Sequence, residues 1–314
     1  MVLRIVYYIY IIDTMNRDLC WLLATFIIYT PKCLYEWFDK SKINWYFLSS
    51  NPEAIEIIKD DISNNEGKNI DWCRLCLNPA AIDIITDRVM NKDSKNIYWD
   101  WLCRNPAAID LIKDDIKNNE GININWSCLC DNPEAIDLII DNINNNLGKN
   151  INWGALCGNP SAIELIMDDI RNNDSININW YWLYGNPAAI DIIRSYIKTN
   201  NMIHTDWHCL CGNPKAIDIL RNDISNNGGR HINWYYLCHN TEAMDLIMEE
   251  IRNRINNIRW DSLCSNPSAI ELIKTVISNG GKNIDWSRLC ENPAVFNVDV
   301  ATYKININNI INYL

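Results

Sequence analysis

Thirteen cysteines and four histidines in 314 residues are the first side chains to ask about chemistry. His204, His208, His231 and His239 fall in one stretch that also holds Cys209, Cys211 and Cys238. Such a cluster would suit zinc, which takes four nitrogen or sulfur ligands tetrahedrally. Cys73-x-x-Cys76, Cys128-x-Cys130 and Cys209-x-Cys211 add close pairs, but none has a second matching pair nearby. Eight cysteines instead recur at one place in a period: Cys76, Cys103, Cys130, Cys157, Cys211, Cys238, Cys264 and Cys290, with Ser49 and Tyr184 filling the other two copies. Equivalent positions in stacked units lie a full unit apart, beyond the Cα separation of about 7 Å that a disulfide spans. The recurrent cysteines therefore read as small buried hydrophobes. His204 and His231, each three before a tryptophan, read as substitutes for the asparagine of most other copies. No metal and no cofactor is expected.

Carboxylates recur too. Glu56, Asp83, Asp110, Asp137, Glu164, Asp191, Asp218, Asp245 and Glu271 hold one position. Acid–base catalysis needs two carboxylates whose surroundings drive their pKa values apart, and nine equivalent copies offer no such contrast. A favourable charge near a helix N-terminus explains them, and an acidic stripe for a basic partner is the functional alternative. No phosphate-cradling loop, nucleophile elbow or zinc-protease motif is present, so the chain is read as non-catalytic. Lys plus Arg number 28 against 39 Asp plus Glu, a net charge of −11. That balance disfavours a nucleic-acid partner, whose phosphates call for a basic footprint.

The elements that would position these groups come from one motif written ten times. Trp45, Trp72, Trp99, Trp126, Trp153, Trp180, Trp207 and Trp234 are spaced by 27 residues, and Trp260 and Trp286 follow at spacings of 26. Six residues after each stands an asparagine: Asn51, Asn78, Asn105, Asn132, Asn159, Asn186, Asn213, Asn240, Asn266 and Asn292. All but Asn240 precede proline. Asn or Asp before most of the tryptophans caps a short helix, because its oxygen accepts from free N–H groups. Ile70 and Leu75 have the spacing of a hydrophobic staple. Asn78-Pro79 starts a second, longer helix, with Asn as cap and Pro where its missing N–H costs nothing. Ala81, Ile82, Ile84, Ile85 and Val89 give that helix one apolar face.

One such hairpin cannot bury its own apolar face, so neighbours must stack. The expected fold is all-α, an α-solenoid of about ten 27-residue helical hairpins. A leucine-rich-repeat-like α/β solenoid is the alternative, disfavoured because the strand leucines are missing and Pro follows the Asn. At ~8–10 Å between helices, ten units would make a rod or arc of roughly 90 Å, with the ten tryptophans as the main wedges of its core. Residues 42–297 form the solenoid, 1–41 an apolar segment and helical cap, and 298–314 a C-terminal cap. The apolar run Met1–Ile12 ends at Asp13, well short of the ~18 residues of a membrane span, so no membrane partner is expected.

The string W-x-x-L-C-x-N-P-x-A-I-[DE] resembles tandem repeats of proteins from large DNA viruses that infect protists, typically written with Ser where this chain has Cys. The resemblance covers about residues 42–297, though the loop between units is longer here. It implies a viral protein expressed inside a host cell, in the cytoplasm or in the virion, and it brings no activity.

What varies within the frame is the pair after each tryptophan. It reads Tyr46-Phe47, Cys73-Arg74, Asp100-Trp101, Ser127-Cys128, Gly154-Ala155, Tyr181-Trp182, His208-Cys209, Tyr235-Tyr236, Asp261-Ser262 and Ser287-Arg288. Tyr46, Phe47, Trp101, Tyr181, Trp182, Tyr235 and Tyr236 are the candidate partner-binding residues, since aromatics dominate interface hot spots. The expected function is a repeat scaffold for protein–protein interaction, with a structural part in a virion or viral factory as the alternative.

Overall fold

The computed structural model describes residues 32–91, 96–146, 150–172, 177–200, 205–253, 257–280 and 283–298. They divide into two units. The smaller holds strand β1 (Lys32–Leu34) and strand β2 (Phe296–Val298), paired antiparallel with Lys32 opposite Val298 and Leu34 opposite Phe296. The larger, Glu36–Val295, contains all ten repeats and is helical throughout its regular elements. A leucine-rich repeat would place a strand in every copy. Among the described residues only β1 and β2 are strands; β1 precedes the repeats and β2 takes over at Phe296, one residue before the expected end of the array, which is an all-α solenoid. Where a helical cap was expected before residue 42, the described part has β1 and a 3-10 turn, Lys40–Lys42. No helix of the described residues is long and apolar enough to cross a membrane.

Each unit has a short helix, a 3-10 turn (a plain turn in the seventh unit) and, in the first nine units, a long helix. In the second unit these are Trp72–Leu77, Pro79–Ala81 and Ile82–Met90. The Asp71 carboxylate accepts the Arg74 N–H at 2.9 Å and so starts the short helix, while Asn78 caps the proline turn. Asn-Pro therefore opens a single 3-10 turn, and the long helix begins three residues later than the cap signal alone suggests. The long helices of units 1, 3 and 7 end in a left-handed turn. Gly67 there has φ +70°, and a Cβ on it would stand 2.9 Å from Trp72 Cζ2, so only glycine fits.

The fully buried layer is not the indoles. Leu48, Leu75, Leu102, Leu129, Leu156, Leu183, Leu210, Leu237, Leu263 and Leu289 are sealed from solvent, as are the recurrent cysteines and Ile58, Ile85, Ile112, Ile139, Ile166, Ile193, Ile247 and Ile273. Trp72 is buried, whereas Trp45, Trp99, Trp126, Trp153, Trp180, Trp207, Trp234, Trp260 and Trp286 are half-buried. The physical reason is position: tryptophan is the first residue of the short helix, and the leucine three places on points into the stack. The indole faces instead take cover from the long helix of their own unit. Arg88 lies 4.0 Å over Trp72, and the Tyr196 ring sits 4.1 Å from Trp180.

The array of the larger unit closes on itself, which a rod or arc does not. Asn44 N–H donates to Cys290 Sγ at 3.2 Å, and Asn51 Nδ2 donates to the Cys290 carbonyl at 2.9 Å. Between consecutive units the matching bonds are Asn179 N–H to Cys157 Sγ at 3.3 Å and Asn186 Nδ2 to Cys157 O at 2.9 Å. The tenth unit thus meets the first through the same two bonds, although Asn51 lacks the second carbonyl that the other recurrent asparagines reach. Phe38 packs edge-on to Trp286 at 5.5 Å across the same seam. A ten-residue Gly-Ser join from Val298 to Lys32, with new ends opened between Asn227 and Gly228, is expected to keep native helicity and one unfolding transition. Its stability should lie within about 2 kcal/mol of the parent, because termini at exposed turns are tolerated. An open array could not accept that join, and circular dichroism with thermal melting separates the outcomes.

Candidate interaction surface

Short-helix geometry decides which residues are free to meet a partner. With leucine and cysteine committed to the core, the two positions after tryptophan are the least constrained. Tyr46 is 45% exposed, Tyr181 42% and Trp182 51%, while Phe47, Trp101, Tyr235 and Tyr236 are half-buried. At the second position of the pair Cys128 and Ser262 are buried, whereas Ala155 and Cys209 are half-buried. Large rings there emerge over the edge of the preceding unit. Trp182 lies across Gly154, where a Cβ would come within 3.4 Å of Trp182 Cδ1 and 3.1 Å of Asn152 Oδ1. Glycine in unit 5 thus makes the bed for the tryptophan of unit 6.

The structure brings the aromatic candidates into two groups and leaves Trp101 apart. In units 6 to 8, Tyr181 and Trp182 meet edge-on at 5.3 Å, as do Tyr235 and Tyr236, and His208 adds an edge to Tyr236 at 6.0 Å. A hydrogen bond to the Cys209 thiol pushes the Tyr181 phenol up to about 12, so it stays neutral and donates. At the seam, Tyr46 and Phe47 meet at 5.0 Å. Arg74 lies 4.3 Å over Tyr46, hydrogen-bonded to its hydroxyl, and Arg288 lies 4.9 Å over Phe47. Trp101 has Arg104 at 5.6 Å. Offset and edge-on rings with cations above them are the geometry that aromatic quadrupoles favour.

The histidines separate. His231 binds the buried Asp223 carboxylate at 2.8 Å and stacks on Trp207, His239 Nδ1 pairs with the Tyr235 carbonyl at 2.9 Å, and His208 is exposed. His204 lies outside the described residues. Among the described residues no three His, Cys, Asp or Glu side chains gather as a metal site would require.

The repeated asparagines do more than cap. Asn159 Oδ1 accepts the Ser161 N–H at 3.0 Å, and its Nδ2 donates to Cys130 O at 3.0 Å and to Asn132 O at 3.2 Å in the preceding unit. The same two-carbonyl bridge recurs at Asn78, Asn105, Asn132, Asn186, Asn213, Asn240, Asn266 and Asn292. A signal was present: Asn240 persists where its proline has become Thr241. A cap alone would accept Ser, Thr or Asp, but only an amide is both acceptor and double donor.

Two further sets escaped sequence reasoning. The thiols accept backbone N–H groups of the following unit, as Ser49 Oγ does from Asp71 N–H at 3.0 Å. Burial pushes Cys76, Cys103, Cys238 and Cys264 up to about 11 and Cys211 up to about 12. Asp61, Asp115, Asp169 and Asp223, in units 1, 3, 5 and 7, are buried carboxylates that fasten the following loop. Asp115, for example, accepts from Asn119 Nδ2 at 3.0 Å and from Asn123 Nδ2 at 2.8 Å. The recurrent acids of the helix starts are exposed except for the half-buried Glu56, and Arg194 ties Asp191 to Asp218 of the next unit.

Fold and surface define an all-helical tandem-repeat protein whose variable side chains lie on its short helices. Comparison of the chain with family models, curated proteins and solved structures gives no match.

Proposed function

We propose that this protein is a non-catalytic scaffold that holds a protein or peptide partner along its short-helix edge. The supporting observation is the exposure of Tyr46, Tyr181 and Trp182 on short helices whose next residues, Leu48-Ser49 and Leu183-Tyr184, are buried. Rings of this size left half in water on rigid helices fit the anchor residues of interfaces. The resemblance to viral repeats supports a partner inside a host cell.

The test is a triple variant, Tyr46→Ala, Tyr181→Ala and Trp182→Ala. It is expected to lose the partner that the parent captures from host cytosol, with stability lowered by less than about 2 kcal/mol because the rings are exposed. Retention of the same partner at the same yield would place the binding surface elsewhere. Photo-crosslinking from position 182, read by mass spectrometry, locates the contact directly.

A further inference from the structure

Between the long helices of units 2 and 3 lies a cleft of about 310 Å³, one wall of which carries the loop-fastening Asp115. Its size falls at the lower end of small-molecule pockets. Val89, Met90, Trp99 and Leu111 form its apolar wall, and Asp114 and Asp115 its acidic one. Met90 is 63% exposed and makes a lip, while Leu111 is buried.

The neighbouring unit shows what this arrangement lacks. Sixteen residues after Trp72 stands Arg88, whose guanidinium covers the indole at 4.0 Å. Sixteen after Trp99 stands Asp115. Unit 3 shares this carboxylate with units 1, 5 and 7, where Asp61, Asp169 and Asp223 hold the same place, and in unit 3 it lines one cleft with a half-buried indole. Asp115 is 3% exposed and held in place by Asn119 and Asn123. Among the described residues Asp114 makes no hydrogen bond or ion pair, and it is exposed.

We propose that this cleft binds a primary ammonium group carried on an aliphatic chain. The methylenes would lie against Val89, Met90 and Leu111, and the ammonium between the Trp99 face and the Asp114 and Asp115 carboxylates. An aromatic face and a carboxylate both favour a cation, and the apolar wall selects one with a hydrocarbon stem over a bare ion. A lysine side chain of a polypeptide and a free alkylamine share this chemistry.

The test follows the Trp99 indole N–H signal in protein labelled with 15N-tryptophan, assigned through Trp99→Phe. n-Pentylamine is expected to shift that signal saturably, and 1-pentanol to do so at least tenfold more weakly. Asp114→Asn should weaken pentylamine about tenfold with an unchanged circular dichroism spectrum. Nα-acetyl-lysine N-methylamide binding at least as tightly as pentylamine identifies a polypeptide lysine as the ligand, and binding of pentylamine alone identifies a free amine. Equal shifts by alcohol and amine, no effect of Asp114→Asn, parallel movement of all indole signals, or no shift with either amine each overturn the site. None of these results depends on the aromatic edge.

Discussion

Raising the pH from 8.5 to 11 is expected to unfold this protein, with stability falling by several kcal/mol over that range. The recurrent thiols carry the effect. Cys76, Cys103, Cys238 and Cys264 are held up to about 11 and Cys211 up to about 12 by burial, whereas an unfolded thiol titrates near 8.5. A raised folded-state pKa means the unfolded chain releases protons first. The contribution of each thiol is complete below about pH 8.5 and is lost as pH climbs through its folded value, at on the order of 1.4 kcal/mol per pH unit. Urea titrations at intervals across this range measure the slope. Replacing the five cysteines by serine should flatten it, because Ser49 already performs the same hydrogen bonding in unit 1. An identical slope in the serine variant would assign the alkaline loss to other groups. The same burial predicts that iodoacetamide at pH 8 modifies the half-buried Cys33, Cys73 and Cys209 long before the recurrent set.

Asn159→Asp should destabilise the fold by about 3–5 kcal/mol, and by no less than Asn159→Ala. The two side chains of Asn and Asp have the same shape and cap helices equally well. They differ only in the group that faces the preceding unit. In the parent, Nδ2 satisfies Cys130 O and Asn132 O at a site 1% exposed. A carboxylate there sets an anion against two buried carbonyl oxygens and leaves both without their donor, a penalty in the range of broken buried polar pairs. Asn159→Ala loses the cap and the bridge but buries no charge. Chemical denaturation of both variants decides the matter: a loss below about 1 kcal/mol for Asn159→Asp would reduce this residue to a helix cap.

Much of the architecture was legible because its cause is local. The 27-residue recurrence of tryptophan, the asparagine six places on and the proline after it mark helix starts that lie within a turn of expectation in the structure. Energetic ranking was less legible. Tryptophan draws attention by size, yet as first residue of its helix it reaches only the rim, and the unobtrusive Leu75 or Leu102 takes the centre. The asparagine bridge was hidden because one side chain serves two purposes and the cap accounts for the first. Ring closure was invisible for a deeper reason. A period gives the distance between units and says nothing of the small rotation from each to the next, which depends on side-chain packing such as Trp182 over Gly154. The aromatic candidates were found by their variability, but which of them cluster depends on that same rotation.

The circle has an evolutionary corollary. Linear repeat proteins lengthen or shorten by duplicating or losing a copy, since an added unit merely extends the stack. Here an eleventh unit would have to be wedged into a circumference already complete, bending every joint at once. Copy number is therefore frozen, and variation is confined to side chains that the joints leave free.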